Sequence, residues 1–155
     1  VPFADATLDH WRAITRVNLD GVFLTLREAA RHMIARGGGG ALVGISSVSA
    51  IHGAPMNQAY AASKGGVNAM IRGLAVELAR HRIRCNSVLP GWIETPMTEP
   101  GRAYEKFVQN TTYRTPLRRW GQPSDLGPAA VFLANPDHLF HTGDCLVVDG
   151  GYSIF

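Results

Sequence analysis

Tyr60 and Lys64 are the residues whose types and spacing most directly suggest chemistry, because they lie four residues apart in the segment 58–65. On a helix, residues with this spacing share one face and lie a turn apart. A phenol with an unperturbed pKa of about 10 transfers protons poorly near neutrality, whereas a fixed cation beside it favours the ionised form. The pair therefore predicts a general acid/base that operates at physiological pH. Ser47, in a separate segment upstream, supplies a hydroxyl that can hold the reacting oxygen.

Hydrophobic periodicity indicates the elements that position these side chains. Thr7 is a predicted N-cap, and a helical pattern of apolar residues follows it until the glycines at 37–40. The apolar segment 41–46 lacks alternation, as is typical of a strand that is buried on both faces. The remaining predicted elements are a helix over 58–81, a strand over 83–89, one or two short helices within 94–119, a helix over 123–133 and a strand over 145–148. Helices that alternate with strands predict an α/β fold with a parallel sheet.

The composition is typical of a compact soluble domain. The chain has 155 residues, of which 46% are hydrophobic and 17% are charged, so a single domain can bury a substantial core. The net charge of +3 is modest, and the arginines of the segment 80–84 fall where a helix is predicted to end. This position favours solvated helix termini over a nucleic-acid surface. Neither a signal peptide nor a long apolar span is visible, so we expect no membrane partner.

The cysteines and histidines indicate a reducing environment and no metal. Cys85 and Cys145 each fall within an apolar, strand-like segment. Two cysteines do not make a disulfide framework, and buried thiols are typical of a reducing compartment, so we expect a cytoplasmic protein. The six histidines show no spacing typical of metal ligands.

The chain resembles the short-chain dehydrogenases/reductases over essentially its whole length. Tyr60 and Lys64 are similar to the family's Tyr-x-x-x-Lys pair, and Ser47 lies at the family's usual distance before the tyrosine. Further similar features are a helix asparagine at Asn18, a Pro-Gly turn with a downstream threonine at 90–95, and the C-terminal segments 142–143 and 147–151. These features occur in the family's order, which implies a Rossmann-like, three-layer α/β/α fold with a parallel sheet.

The resemblance implies a hydride-transferring enzyme with four catalytic residues. Tyr60 would exchange a proton with the substrate oxygen, while Lys64 would support the phenolate and hydrogen-bond the nicotinamide ribose. The spacing from Tyr60 favours Ser47 over Ser46 as the hydrogen-bond donor to the reacting oxygen. Asn18 would hold a water that relays protons to Lys64.

The resemblance also implies a cofactor, NAD or NADP, and a small-molecule substrate with a carbonyl or a secondary alcohol. The residues expected to contact the cofactor are Asn18, Tyr60, Lys64, Pro90, Gly91, Ile93 and Thr95. A weaker set, which flanks the catalytic segments, is expected to line the substrate pocket: Ser49, Met56, Trp92, Met97, Gln109 and Trp120. The pattern leaves open 3-oxoacyl thioesters, sugars, steroids and small alcohols.

The start of the chain departs from the family pattern. The family opens with a strand, a glycine-rich turn and a helix N-terminus that cradle the pyrophosphate. The glycines at 37–40 precede a predicted strand, whereas such a cradle follows a strand and opens a helix. We therefore interpret residues 1–155 as a single domain that corresponds to the C-terminal part of a family member. We expect these residues alone to have little dinucleotide affinity, which calorimetric titration with NADH and NADPH measures, and an exposed edge on the strand over 41–46.

Two other functions are compatible with the pattern. A non-catalytic binding relative is one, although such a protein usually loses the tyrosine or the lysine. A dimerisation module is the other, because small residues on the second helix let another helix approach closely. These small residues are Ala61, Ala62, Ser63, Gly65, Gly66, Ala69 and Gly73. The expected assembly is a homodimer or a homotetramer.

Overall fold

The computed structural model describes residues 1–138 and 140–155. The described residues form a parallel sheet in the order β1-β2-β3. The strands are β1 (Gly40–Ile45), β2 (Ile83–Pro90) and β3 (Cys145–Val148). The helices are α1 (Leu8–Thr15), α2 (Gly21–Arg36), α3 (Gln58–Leu78), α4 (Glu99–Arg102), α5 (Glu105–Arg114) and α6 (Pro123–Ala134). The predicted α/β class is confirmed.

The sheet lies between two helical layers, as the fold prediction requires. Along β2 every residue before Pro90 is buried, and successive side chains point to opposite faces. One face packs on α2 and α3 in the main core, whereas α6 contacts all three strands. The core residues on the first face are Leu26, Ala30, Leu42, Val67, Ile71, Ala75, Leu78, Ile83 and Cys85. Four of these belong to the apolar stripe of α3, so its periodicity reflects burial against the sheet.

Parallel pairing brings the ends of the three strands to one edge of the sheet, called here the carboxyl edge. Ile45 pairs with Val88, and Pro90 pairs with Val148, so the segments that follow each strand emerge side by side. Gly91 passes so close to β3 that a Cβ atom there would lie 2.6 Å from the Cβ of Asp149. Only glycine allows these two segments of the chain to approach so closely.

The first predicted helix differs from the structure in its middle. Thr7 is the N-cap of α1, as predicted, and its hydroxyl accepts a hydrogen bond from the His10 amide at 3.1 Å. The segment Arg16–Asp20 is π-helical, and the Gly21 amide donates to the carbonyl of Arg16 five residues back. Such a turn accommodates one extra residue and occurs frequently at functional sites. Periodicity does not reveal it because the helix continues on both sides.

Arg84 does not follow the expectation of solvated arginines at 80–84. It lies on β2 and is only 6% exposed. Its guanidinium donates to the carbonyls of Leu133 at 2.9 Å, Asn135 at 2.8 Å and His141 at 3.3 Å. The carbonyls at a helix C-terminus lack intrahelical donors and attract cations. Arg84 therefore holds the end of α6 and the chain that leads into β3 against the sheet.

We expect Arg84→Met to lower the free energy of unfolding by about 3 kcal/mol, since buried carbonyls left without a donor cost about 1–3 kcal/mol each. Urea titration measures this loss. The matched control is Arg31→Met, because Arg31 forms an exposed ion pair with Glu28, and such pairs contribute little. An equal loss in both variants would contradict the role assigned to Arg84.

Candidate active site

Lys64 and Tyr60 lie on the same face of α3, as their spacing predicts. The Lys64 Nζ is 5.5 Å from the centroid of the Tyr60 ring. The same ammonium donates a hydrogen bond of 2.9 Å to the carbonyl of Ile45, the last residue of β1. Burial lowers the pKa of Lys64 from its ordinary value, because a partly desolvated ammonium is less stable as a cation. The cation is thus fixed between the helix and the carboxyl edge.

The two adjacent serines make different hydrogen bonds. The Ser46 hydroxyl donates to the carbonyl of Lys64 at 3.0 Å, so its proton is used within the fold. The Ser47 hydroxyl instead accepts from the Ser49 amide at 3.1 Å, which leaves its own proton for another acceptor. Ser47 caps a short 3₁₀ helix at Val48–Ala50 that packs on α3. The structure therefore assigns distinct tasks to two residues that the sequence could separate only by spacing.

Asn18 reaches α3 through Ser63, a residue for which the sequence predicted no functional role. The Asn18 amide nitrogen lies 3.3 Å from the Ser63 hydroxyl, which in turn donates to the carbonyl of Tyr60 at 2.7 Å. Ser63 is completely buried. This chain of hydrogen bonds ties the π turn to the helix that carries the tyrosine. The sequence feature that could have identified Ser63 is its position directly before Lys64, on a side of the helix where the other residues are small or apolar.

The predicted cofactor contacts after β2 lie at the carboxyl edge. Pro90 ends the strand, and Gly91 makes the close approach described above. Ile93 is buried, and its carbonyl accepts a 2.7 Å hydrogen bond from the Thr98 hydroxyl. The same hydroxyl accepts from the Thr95 amide at 3.0 Å. Thr98, which no sequence motif indicated, thus fixes the backbone around Ile93 and Thr95.

An aromatic cluster joins the loop after β2 to α5 and the C-terminal segment. Trp92 stacks on Trp120 with 5.3 Å between ring centroids, and it makes edge contacts with Phe107 at 5.0 Å and Tyr152 at 6.3 Å. Trp120 is buried, and its indole nitrogen donates to the Thr111 hydroxyl at 2.9 Å. Trp120 is therefore part of the packing behind Trp92.

The other predicted substrate residues are dispersed. Ser49 lies beside Ser47 in the 3₁₀ turn, and Met97 is 75% exposed. Met56 lines a small pocket next to the N-terminal segment, and Gln109 lines an open depression on α5, where its amide binds Glu105. Trp92, by contrast, lines a cavity of about 220 Å³ at the carboxyl edge. The set is not gathered into one cavity.

Within residues 1–138 and 140–155, no three side chains of the metal-binding types are grouped to hold an ion. In the same part of the chain no helix has both the length and the apolar character to cross a membrane. Cys85 and Cys145 are free thiols. Burial raises the pKa of the Cys85 thiol to about 11, as expected of a structural cysteine.

Comparisons with known proteins identify the family of the chain. A family profile described as enoyl-(acyl carrier protein) reductase matches residues 1–153. The chain is 39% identical over 149 residues to an L-rhamnose 1-dehydrogenase (NAD(P)(+)) of Sphingomonas sp. (strain SKA58), covering 96% of this chain and 59% of that protein. It is 40% identical over 150 residues to the 5-keto-D-gluconate 5-reductase of Escherichia coli (strain K12), covering 97% and 59% respectively. The chain belongs to the short-chain dehydrogenase/reductase family.

A solved structure extends the comparison to three dimensions. A gluconate 5-dehydrogenase from Burkholderia cenocepacia J2315, in complex with NADP and tartrate, superposes with a TM-score of 0.96 at 39% identity. The match covers 100% of this chain and 60% of that one. The chain therefore has the Rossmann-type fold of the family and spans about 60% of the length of that relative.

We expect Lys64→Met to be at least as stable as the wild type at pH 7, because the substitution removes a partly desolvated charge. The folded-state pKa of Lys64 lies below its ordinary value of 10.5. Below that folded-state pKa, desolvation of the charged lysine therefore lowers the free energy of unfolding by its full amount. This loss disappears as the pH rises through the folded-state pKa towards 10.5. Urea titrations at pH 7 and pH 10 should show the two proteins converging.

The matched control for this prediction is Lys106→Met, which replaces an exposed lysine on α5. Its stability should differ little from that of the wild type. A Lys64→Met protein that is clearly less stable than the wild type at pH 7 would show that the hydrogen bond to Ile45 outweighs the desolvation.

Proposed function

We propose that this chain carries the catalytic part of an NAD(P)-dependent oxidoreductase that interconverts a carbonyl and a secondary alcohol. The observation that carries the proposal is the position of the Lys64 ammonium, 5.5 Å from the Tyr60 ring and hydrogen-bonded to the end of β1. A phenol beside a fixed cation suits reversible proton transfer. The dehydrogenases and reductases that the chain resembles support the same chemistry.

Each predicted catalytic residue has a role in this proposal. Tyr60 donates its phenolic proton to the carbonyl oxygen during reduction and accepts one during oxidation. Lys64 stabilises the phenolate. Ser47 donates its hydroxyl hydrogen, which its contact with the Ser49 amide does not use, to the reacting oxygen. Asn18, whose amide contacts the hydroxyl of Ser63 at 3.3 Å, would bind a water that passes protons to Lys64.

The residues at the carboxyl edge fit the nicotinamide end of the cofactor. Parallel sheets bind ligands at this edge, and the absence of a side chain at Gly91 lets the loop after β2 pack directly against Asp149 there. Lys64 would hold the ribose, and Ile93 and Thr95, fixed by Thr98, would hold the carboxamide. When bound, the nicotinamide supplies or accepts the hydride. Both NAD and NADP are compatible with these contacts.

Two substrate classes are supported by the comparisons. Relatives named for rhamnose and for 5-keto-gluconate favour a hydroxylated small molecule. The family profile described as enoyl-(acyl carrier protein) reductase favours an acyl thioester. We regard the hydroxylated class as the first candidate.

The outward face of α3 supports a homodimer or a homotetramer. Ala62, Ala69 and Gly73 recur there at helical spacing and are exposed, and the neighbouring Val76 is 82% exposed. Small residues on an exposed helix face suit close packing against a second copy of the helix. Sedimentation of the protein as its gene encodes it measures this assembly. The two free thiols support a reducing, cytoplasmic location.

We expect Tyr60→Phe to reduce kcat by a factor on the order of 10² or more, because the ring remains but the transferable proton is lost. The measurement is steady-state turnover of the protein as its gene encodes it, with NAD and NADP tested separately.

Tyr113→Phe is the control for this substitution, since Tyr113 is a 69% exposed tyrosine on α5. It should turn over at the wild-type rate. Near-normal turnover by the Tyr60→Phe protein would remove Tyr60 from the chemistry and, with it, the proposed mechanism.

A further inference from the structure

His52 and Trp92 each carry a ring nitrogen that is buried and has no hydrogen-bond partner among the described residues. Buried polar groups are nearly always paired in folded proteins, so each exception calls for an explanation. The other buried nitrogen of this kind, His141 Nε2, lies 3.2 Å from a carboxylate oxygen of Asp144 and is explained by that contact. Among the described residues, the buried nitrogens that still lack a hydrogen-bond partner are therefore His52 Nε2 and Trp92 Nε1.

The two nitrogens have opposite hydrogen-bonding character. His52 Nδ1 lies 3.1 Å from the carbonyl of Gly53. A carbonyl oxygen only accepts, so Nδ1 carries the hydrogen, and Nε2 of the uncharged ring is an acceptor. The indole nitrogen of Trp92 can only donate. The pair therefore offers one acceptor and one donor.

Both rings lie against Tyr152 at the carboxyl edge. The ring centroid of Tyr152 is 5.5 Å from that of His52 and 6.3 Å from that of Trp92. The His52 amide donates to the carbonyl of Val48 at 3.2 Å, within the turn that begins at Ser47. Trp92 directly follows Gly91 at the end of β2. His52 thus lies in the segment that leaves β1 and Trp92 in the segment that leaves β2, and Tyr152 contacts both.

A hydroxyl is the common substrate group that donates and accepts at the same time. The carbonyl of an acyl thioester only accepts, and an alkyl chain does neither. We propose that His52 and Trp92 form a subsite that binds hydroxyl groups next to the reacting carbon and so selects polyhydroxylated substrates, such as sugars and their reduced forms. This inference rests on the proposed function for the identity of the reaction, but the binding that it describes requires no turnover.

A binding experiment tests the subsite without the reaction. The protein as its gene encodes it is labelled with ¹⁵N in its tryptophan indoles, and the Trp92 resonance is assigned with a Trp92→Phe variant. D-glucitol, D-mannitol, galactitol and D-gluconate are then titrated against hexan-2-ol, which has six carbons and one hydroxyl. A shift of the Trp92 indole resonance with at least one polyhydroxylated compound and none with hexan-2-ol is expected. No shift with any of the four, or an equal shift with hexan-2-ol, overturns the proposal.

A kinetic experiment tests whether the subsite sets specificity. His52→Phe and Trp92→Phe should each lower the ratio of kcat/KM for the preferred polyhydroxylated compound to that for hexan-2-ol by roughly 10-fold, the effect of one lost hydrogen bond in a protein site. His52→Gln, whose amide oxygen restores an acceptor, should recover most of the ratio. A merely structural role for the ring would not predict this recovery.

Exposed residues supply the controls for the kinetic experiment. His32→Phe on α2 and Trp11→Phe on α1 change the same residue types outside the site and should leave the ratio unchanged. An equal loss on both substrates in the His52 and Trp92 variants, or a wild type that prefers hexan-2-ol, overturns the subsite. Absence of turnover with either cofactor would instead refute the proposed function, and the indole titration would still decide the subsite.

Discussion

The hydrogen bond from the Lys64 ammonium to the Ile45 carbonyl is the interaction on which the candidate site depends. A lysine side chain has a long flexible stem, so its position on a helix does not by itself locate its charge. The Ile45 carbonyl, at the end of β1, accepts a hydrogen bond from the Lys64 ammonium. This bond places the charge at the carboxyl edge, beside the Tyr60 ring. Partial burial makes the ammonium less stable as a cation and increases its effect on neighbouring groups, because the local dielectric is low.

Buried polar side chains orient the segments that surround this interaction. Ser63 links the π turn at Asn18 to the backbone of Tyr60. On the opposite face of the sheet, Arg84 donates hydrogen bonds to carbonyls at the C-terminus of α6. Asn86 donates to the His141 carbonyl and accepts from the Asp144 amide. Apolar contacts between helices and sheet supply most of the stability, but they are not directional. Hydrogen bonds between fixed partners determine where each segment lies.

The predictions that succeeded rest on short-range rules. The spacing of Tyr60 and Lys64 placed them on one helical face, and Thr7 was identified as an N-cap because threonine hydroxyls satisfy free amides at helix starts. The helix predicted over 58–81 is an α-helix to Leu78 followed by a 3₁₀ turn. Such features depend on neighbours within a few residues, and the chain encodes them directly.

The sequence by itself determined the α/β order of elements, the position of Tyr60 and Lys64 on one face of α3 and the resemblance to its family, because these depend on local patterns of residue type. Only the tertiary structure decided which of two adjacent serines has a hydroxyl proton to donate, and that Arg84 is buried rather than solvated. It also brought His52 against Tyr152 from distant parts of the chain. Contacts of this kind arise when separate elements pack, and no local periodicity records which side chains will then meet.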